Sequence, residues 1–301
     1  MSQSNLNFHP LTSHFGAQVT GLTIAQGVDE STLKRLAQAL IEYKLIVIRN
    51  QSLSPDQYAK FGRMWTGKTR VDSFTEMHVP GYDDINIVGN VGDIFKDEGY
   101  RNGAAFWHTD CAAEVDPNAI TMLYCIHALE KEGETVFADM AAAYQGLDPQ
   151  TKSQIVNLEA WHCYAGAKPV LGGREPWEFA LTPVTEETKS NFPDPVKRPI
   201  VRRHSLSDTP CLYAPAGSAF AIDGMAHDDA FQLMLKLKHH ATSEQFCYQH
   251  RYQPGDLVMW DNTSTLHLAK PTNAATGDHD RRLMHRISPL GLPTVLINPS
   301  E

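Results

Sequence analysis

His108 and Asp110, in "FWHTDCAAE" at residues 106 to 114, stand two apart among aromatic and small side chains. In an extended chain residues i and i+2 share a face, so the stretch reads as a strand that presents an imidazole and a carboxylate to one space. Those are two ligands for one metal ion. An isolated H-x-D pattern arises often by chance as a surface pair or a hydrogen-bonded buried pair, so it needs partners elsewhere. His267, in "GDLVMWDNTSTLH", lies 157 residues after Asp110 in a second strand-like context, and "HDRRLMHRIS" follows with Arg281, Arg282 and Arg286 clustered. Two histidines and one carboxylate that leave the remaining positions open suit non-haem Fe(II), where substrate and O₂ must reach the same metal. An arginine fork nearby would bind the far carboxylate of 2-oxoglutarate through paired hydrogen bonds.

The elements that must position these residues belong to a chain of 301 residues, 42% hydrophobic and 20% charged, as expected of a soluble globular protein. No run of about 18 apolar residues suggests a membrane span. The start, "MSQSNLNFHPLTSHFGAQ", shows no basic region followed by an apolar run, so a cytoplasmic location is expected. Five cysteines without C-x-x-C spacing argue against a zinc knuckle, an iron–sulfur site or a disulfide scaffold. The net charge of −9 is spread over short acidic stretches, which gives no basic surface for nucleic acid. A small anionic substrate then requires a local basic pocket.

Residues 31 to 43 carry Leu33, Leu36, Leu40 and Ile41 at helical spacing, and "KLIVIRN" follows as a buried strand. Ser54, Pro55 and Gln57 predict the capped start of a second helix. "INIVGNVGDIF" reads as a strand with glycine breaks, and residues 94 to 105 as a polar lid-like loop leading into the H-x-D strand. "AITMLYCIHAL" reads as a buried strand, and "GETVFADMAAAYQGLDPQTKSQIV" as turn, strand and helix. The Pro- and Gly-rich stretch from about 165 to 200 is a long excursion. Beyond it, "PIVRRHS" and "PCLYAPA" predict strands, "HDDAFQLMLKLKHHA" a helix, "EQFCYQHRY" an alternating strand, and "PGDLVMWD" a strand opened by a turn. No repeat or clean linker divides the chain, so residues 1 to 301 are expected to form one domain, with the excursion at about 160 to 210.

"WHTD", "GETVFADM", "GDLVMWDNTSTLH" and "RRLMHRIS", in this order and spacing, resemble the TauD/TfdA family of Fe(II)- and 2-oxoglutarate-dependent dioxygenases. The N-terminal "GAQVTGL" and "LIVIRNQSLSPDQYAKFGRMW" fit as well. The resemblance implies a mainly β fold with flanking helices, a double-stranded β-helix or cupin-like jelly-roll holding the metal at its open end. It implies His108, Asp110 and His267 as iron ligands, Thr135 and Arg282 as the pair that binds the distal carboxylate of 2-oxoglutarate, and Arg286 and His78 at the substrate anion. The implied cofactors are Fe(II), 2-oxoglutarate as co-substrate and O₂. The implied partner is a small-molecule anion, with neither nucleic acid nor membrane involved, on a homo-oligomer such as a dimer or tetramer.

Two departures bear on the substrate. Arg282 follows His267 by fifteen residues because "PTNAATGDHD" intervenes, and Ala104 and Ala105 stand where taurine-type members carry a polar contact to the substrate amine. Taurine is therefore set aside, and the expected reaction is hydroxylation of a small sulfonate, aryloxyalkanoate, phosphonate or amino-acid-like carboxylate. Where the hydroxylated carbon bears a sulfonate or ether oxygen, C–S or C–O cleavage follows. Asp110 favours hydroxylation, since halogenases of the broader group keep a small residue there. Trp260 is expected in the core and Asp261 and Asn262 in a turn, while Arg281 is read as a solvated neighbour. Two rivals are a non-catalytic metal or small-molecule binding protein on the same jelly-roll, which would lack Arg282, and a zinc hydrolase, which would need a general base; no H-E-x-x-H occurs.

Overall fold

Asp29 accepts a hydrogen bond from the Thr32 N–H and so begins helix α1 (Glu30–Tyr43), which ends at Lys44 in the left-handed conformation. The Ser54 and Gln57 capping box, with Pro55 at the first helical position, begins α2 (Pro55–Thr66) as the sequence indicates. Each helix turns one apolar face inward. The computed structural model describes residues 6–72, 75–164 and 194–297, with backbone alone at 167–169 and 179–181.

Strands β1 (Asn7–Pro10), β2 (Ala17–Thr20) and β3 (Leu45–Ile48) surround α1, and β4 (His78–Val79), β5 (Tyr82–Gly89) and β6 (Ile120–His127) follow α2, with short helix α3 (Glu98–Arg101) before β6. Next come β7 (Thr135–Asp139), α4 (Met140–Gly146) and α5 (Pro149–Ile155). Short strands β8 (Glu159–His162), β9 (Ala167–Pro169), β10 (Phe179–Leu181), β11 (Val196–Pro199), β12 (Val201–Arg203), β13 (Pro210–Leu212) and β14 (Ala219–Ile222) lead to α6 (His227–Ala241). The chain closes with β15 (Cys247–His250), β16 (Leu257–Asp261), β17 (Thr265–Ala269) and β18 (Leu283–Ile287).

Eight strands form one sheet in the order β1, β2, β3, β16, β6, β18, β5, β4, and β15, β7 and β17 form a smaller one. Alternation along the strands separates two cores. Ile46, Ile48, Met122, Tyr124, Leu257, Met259 and Ile287 pack outward against Leu33, Leu36 and Leu40 of α1 and Tyr58, Phe61 and Trp65 of α2. Their neighbours Leu45, Val47, Leu123, Cys125, Val258, Trp260 and Met284 pack inward with Phe137 of the smaller sheet. On that sheet Ala138, Leu266 and Leu268 turn outward to join Leu233, Met234 and Leu237 of α6. Two facing sheets, whose central neighbours β3, β16, β6, β18 and β5 are distant in sequence, make the mainly β, helix-flanked jelly-roll.

The H-x-D stretch is not a strand. His108 alone bridges to His267, and the chain turns at Asp110 into Cys111, whose φ is 57°. Thr109 Oγ1 donates to the Thr265 carbonyl at 2.9 Å, a side-chain bond where a ladder would have continued. The polar loop at 94 to 105 contains helical turns, because Asp97 accepts from the Gly99 and Tyr100 N–H groups and starts α3. The helix expected after β7 divides into α4 and α5 where Asp148 caps a new start ahead of Pro149. Most of the excursion at about 165 to 200 lies outside the described residues; within it β9 and β10 pair antiparallel.

Candidate active site

β17 belongs to the smaller sheet, and because Leu266 and Leu268 face α6, His267 faces the space between the sheets. There it stacks among Phe137, at 6.1 Å between ring centroids, and Trp260, at 4.8 Å. His108 meets it through reciprocal backbone hydrogen bonds, each 2.9 Å. The two rings lie 4.1 Å apart. Gly217, at φ +72°, passes so close to His108 that a Cβ there would stand 3.0 Å from the His108 Cβ.

The turn at Asp110 brings its Oδ1 to 3.6 Å from His108 Nε2 and to 3.6 Å from His267 Nε2. One atom from each of the three residues lies within 4.8 Å of the others, a grouping that can hold a metal ion. His108 Nδ1 is 2.7 Å from the Phe106 carbonyl, which fixes that nitrogen as the N–H and leaves Nε2 a lone pair. Burial, and then the neighbouring His108, push the His267 pKa down to about 3, so its imidazole is neutral and able to coordinate. Burial opposes ionisation of Asp110, but His267, His108 and Arg286 outweigh it and hold the carboxyl well below its usual range.

Arg282, just ahead of β18, and Met284 and Arg286 on it alternate onto the inner face, and His285 falls on the other. Arg282 is 6% exposed; its Nε–H donates to the Gly133 carbonyl at 3.2 Å and its guanidinium lies 5.7 Å from the Tyr252 ring centroid. The Tyr252 hydroxyl donates to Thr135 Oγ1 at 3.0 Å, so Thr135, Tyr252 and Arg282 adjoin. Burial lowers the Arg282 pKa, opposed only by Tyr252 and Cys125. Among the described residues no carboxylate pairs with this guanidinium. Gly133, at φ +80°, leaves its space: a Cβ there would come within 2.8 Å of Arg282 Cδ.

Arg286 lies opposite Asn86 of β5, which lies opposite His78 of β4, a single row across the sheet. Asp72 joins it, accepting from Arg286 Nη2 and from Asn86 Nδ2, each at 2.8 Å. Among the described residues, Arg286 Nε and His78 Nε2 are buried without a hydrogen-bond partner. Arg281 stands apart, paired with Asp278 at 2.9 Å near solvent.

Sequence reasoning missed Asp72, Thr121, Tyr252 and the role of Asn262. Tyr252 follows an alternating strand and Thr121 sits inside an apolar one, where nothing marks a polar contact. Asn262 stood in the quoted "WDN" but read as a turn residue. A cavity of about 650 Å³ lies elsewhere, lined in part by Lys44, Asp139, His204 and Leu296. Of the groups lining it, Lys44 pairs with Asp139 at 3.1 Å and His204 lies 3.1 Å from Asp261.

Residues 7–288 match the family described as "Taurine catabolism dioxygenase TauD, TfdA family". The alpha-ketoglutarate-dependent 2,4-dichlorophenoxyacetate dioxygenase of Burkholderia sp. (strain RASC) is 28% identical over 97% of this chain and 95% of that protein. The alpha-ketoglutarate-dependent sulfate ester dioxygenase of Pseudomonas putida is 27% identical over 88% of this chain and 84% of that protein. The solved structure of AAD-2 in complex with Mn(II) and N-oxalylglycine superposes with a TM-score of 0.79 at 27% identity, covering 96% of this chain and 98% of that one.

Proposed function

The chain belongs to the taurine catabolism dioxygenase TauD, TfdA family, and from that premise we propose that His108, Asp110 and His267 hold its Fe(II), that Thr135 and Arg282 hold the far carboxylate of 2-oxoglutarate, and that Arg286 with His78 receives the substrate anion. The protein is an Fe(II)- and 2-oxoglutarate-dependent dioxygenase acting on small organic anions. The observation that carries the residue assignments is the pairing of a three-ligand cluster with a buried arginine that has no carboxylate partner among the described residues, both facing the interior of one jelly-roll.

The ligand set fits the metal because two imidazoles and one carboxylate offer three donor atoms, a set that leaves the remaining coordination positions of an Fe(II) ion free. Fe(II) bound there supplies O₂ activation coupled to decarboxylation of 2-oxoglutarate to succinate and CO₂, with transfer of one oxygen atom to substrate carbon. His108 is held ready by the Phe106 carbonyl. Arg282 and the Thr135 hydroxyl supply a guanidinium fork and a neutral donor for a carboxylate, in a place where an unpaired cation is costly until an anion arrives.

The reading of Arg286 and His78 as the substrate-anion site is supported by a buried guanidinium or ring nitrogen on each that has no partner among the described residues. Phe106, its ring centroid 4.8 Å from that of His108, provides an apolar surface beside the metal ligands. An anion at the Arg286 row and an aryl or alkyl body near Phe106 describe aryloxyalkanoates and alkyl sulfate esters, the classes named for the two relatives. Hydroxylation next to the ether or ester oxygen would release a phenol or sulfate. The five cysteines are free thiols, in keeping with a reducing cytoplasm. The test is phenol or sulfate release from a panel of aryloxyacetates, aryloxypropionates and alkyl sulfates; product from one class assigns the substrate, and no product from either removes this reading of the Arg286 row.

A further inference from the structure

Asp110 Oδ2 is not left to the metal. Thr121 Oγ1 donates to it at 2.6 Å; Asn262 Nδ2 donates to Thr121 Oγ1 at 2.8 Å; Trp260 Nε1 donates to Asn262 Oδ1 at 3.0 Å. Thr121 and Asn262 are almost wholly buried, and Trp260 is 3% exposed. Neighbouring strands hold the relay in place: Trp260 of β16 lies opposite Thr121 of β6, and the Asn262 N–H donates to the Ala119 carbonyl at 2.9 Å.

The direction of every bond follows from the donor inventory. An indole N–H can only donate, so the Asn262 carbonyl oxygen must face Trp260 and its amide NH₂ must face Thr121. The Thr121 oxygen therefore accepts, and its single proton is directed at Asp110. An ionised carboxylate only accepts. The relay thus ends with Oδ2 occupied and with Oδ1 alone facing the two imidazole nitrogens.

We propose that Trp260, Asn262 and Thr121 are positioning residues for the metal centre, a one-way hydrogen-bond relay that fixes the Asp110 carboxylate so that Oδ1 is its metal-binding atom. This rests on the assignment of Asp110 as a ligand. None of the three relay residues belongs to the ligand cluster itself. They act through Asp110, which lies in a turn and has no strand ladder to orient it. The relay takes the place of that ladder.

The test is Co(II) affinity of the full chain, measured by calorimetric titration, with thermal unfolding of the metal-free protein as a control for folding. Thr121→Val keeps the volume and removes the donor. It is expected to weaken Co(II) binding by about 10- to 100-fold, while Thr121→Ser restores binding close to that of the parent. Trp260→Phe keeps an aromatic ring and removes the first N–H, and weakens binding in the same direction by less. If Thr121→Val is too unstable to measure, Asn262→Ala and the Trp260→Phe and Thr121→Ser pair carry the same comparison. Parent affinity in Thr121→Val, or in both Asn262→Ala and Trp260→Phe, would overturn the relay while leaving the ligand assignment standing. Failure of the parent protein to bind Co(II) would overturn both.

Discussion

His108 and His267, 159 residues apart in sequence, form a mutual backbone pair with N–H to carbonyl distances of 2.9 Å in both directions. These backbone bonds bring the two rings to 4.1 Å between centroids. The ligand geometry is therefore built into the fold. Removing metal with a chelator should leave the circular dichroism spectrum unchanged. Adding Mn(II) at about 100 times its Kd should stabilise the protein by about 2.7 kcal/mol, read as a rise in Tm. Unfolding on chelation would show that the pair depends on the metal.

The buried guanidinium of Arg282 leads to a prediction about co-substrate. Arg282→Met removes the fork and should raise the KM for 2-oxoglutarate by about 10- to 150-fold, the equivalent of about 1.5–3 kcal/mol for a hydrogen bond to a charged group. Gly133→Ala should move in the same direction, since its Cβ would stand 2.8 Å from Arg282 Cδ. An unchanged KM in both variants would remove Arg282 from the co-substrate site.

Asp72 competes for the cation assigned to the substrate. It accepts from Arg286 Nη2 at 2.8 Å with both side chains partly open to solvent. Asp72→Asn should lower the KM for an anionic substrate by about fivefold, the order expected for a partly exposed ion pair near 1 kcal/mol. Arg286→Ala should raise that KM with little effect on substrate-independent 2-oxoglutarate turnover. Steady-state kinetics that show neither shift would place the substrate elsewhere.

His162 gives a pH dependence separate from the metal cluster. It is fully buried, with Nδ1 2.9 Å from Ser218 Oγ. Burial, assisted by Arg198, pushes its pKa down from 6.5 to about 3. Between those values the unfolded chain binds a proton that the folded chain refuses, so stability is complete above about pH 6.5 and falls as pH drops toward 3. The slope from this one group is about 1.4 kcal/mol per pH unit. Denaturant titrations between pH 4 and 7 should show a shallower slope in His162→Gln; an equal slope would contradict the assignment.

The individual strands and the candidate ligands His108, Asp110 and His267 were legible from local signals, whereas the jelly-roll followed only from the family resemblance. "LIVI", "ITMLYCI" and "LVMWD" read as buried strands, and in the fold their apolar residues alternate between two cores. The spacing of Arg282 and Arg286 puts both on the same inner face. What could not be read is what depends on pairs distant in sequence. The H-x-D stretch looked extended because its two side chains do share a space, yet a turn and the bridge to His267 achieve this. Thr121 has the pattern of any strand threonine, and only the register of β6 against β16 places it between Asp110 and Asn262. Asp72 shows its partner only when β5 and β18 are paired.

The most direct measurement is succinate formed from 2-oxoglutarate and O₂ by anaerobically loaded Fe(II) protein, with and without aryloxyalkanoates and alkyl sulfates, for the parent and for His108→Ala. Succinate stimulated by a substrate is expected in the parent, with turnover lost in His108→Ala together with metal binding. Substrate-stimulated succinate that persists undiminished in His108→Ala would contradict the assignment of the metal centre to His108, Asp110 and His267.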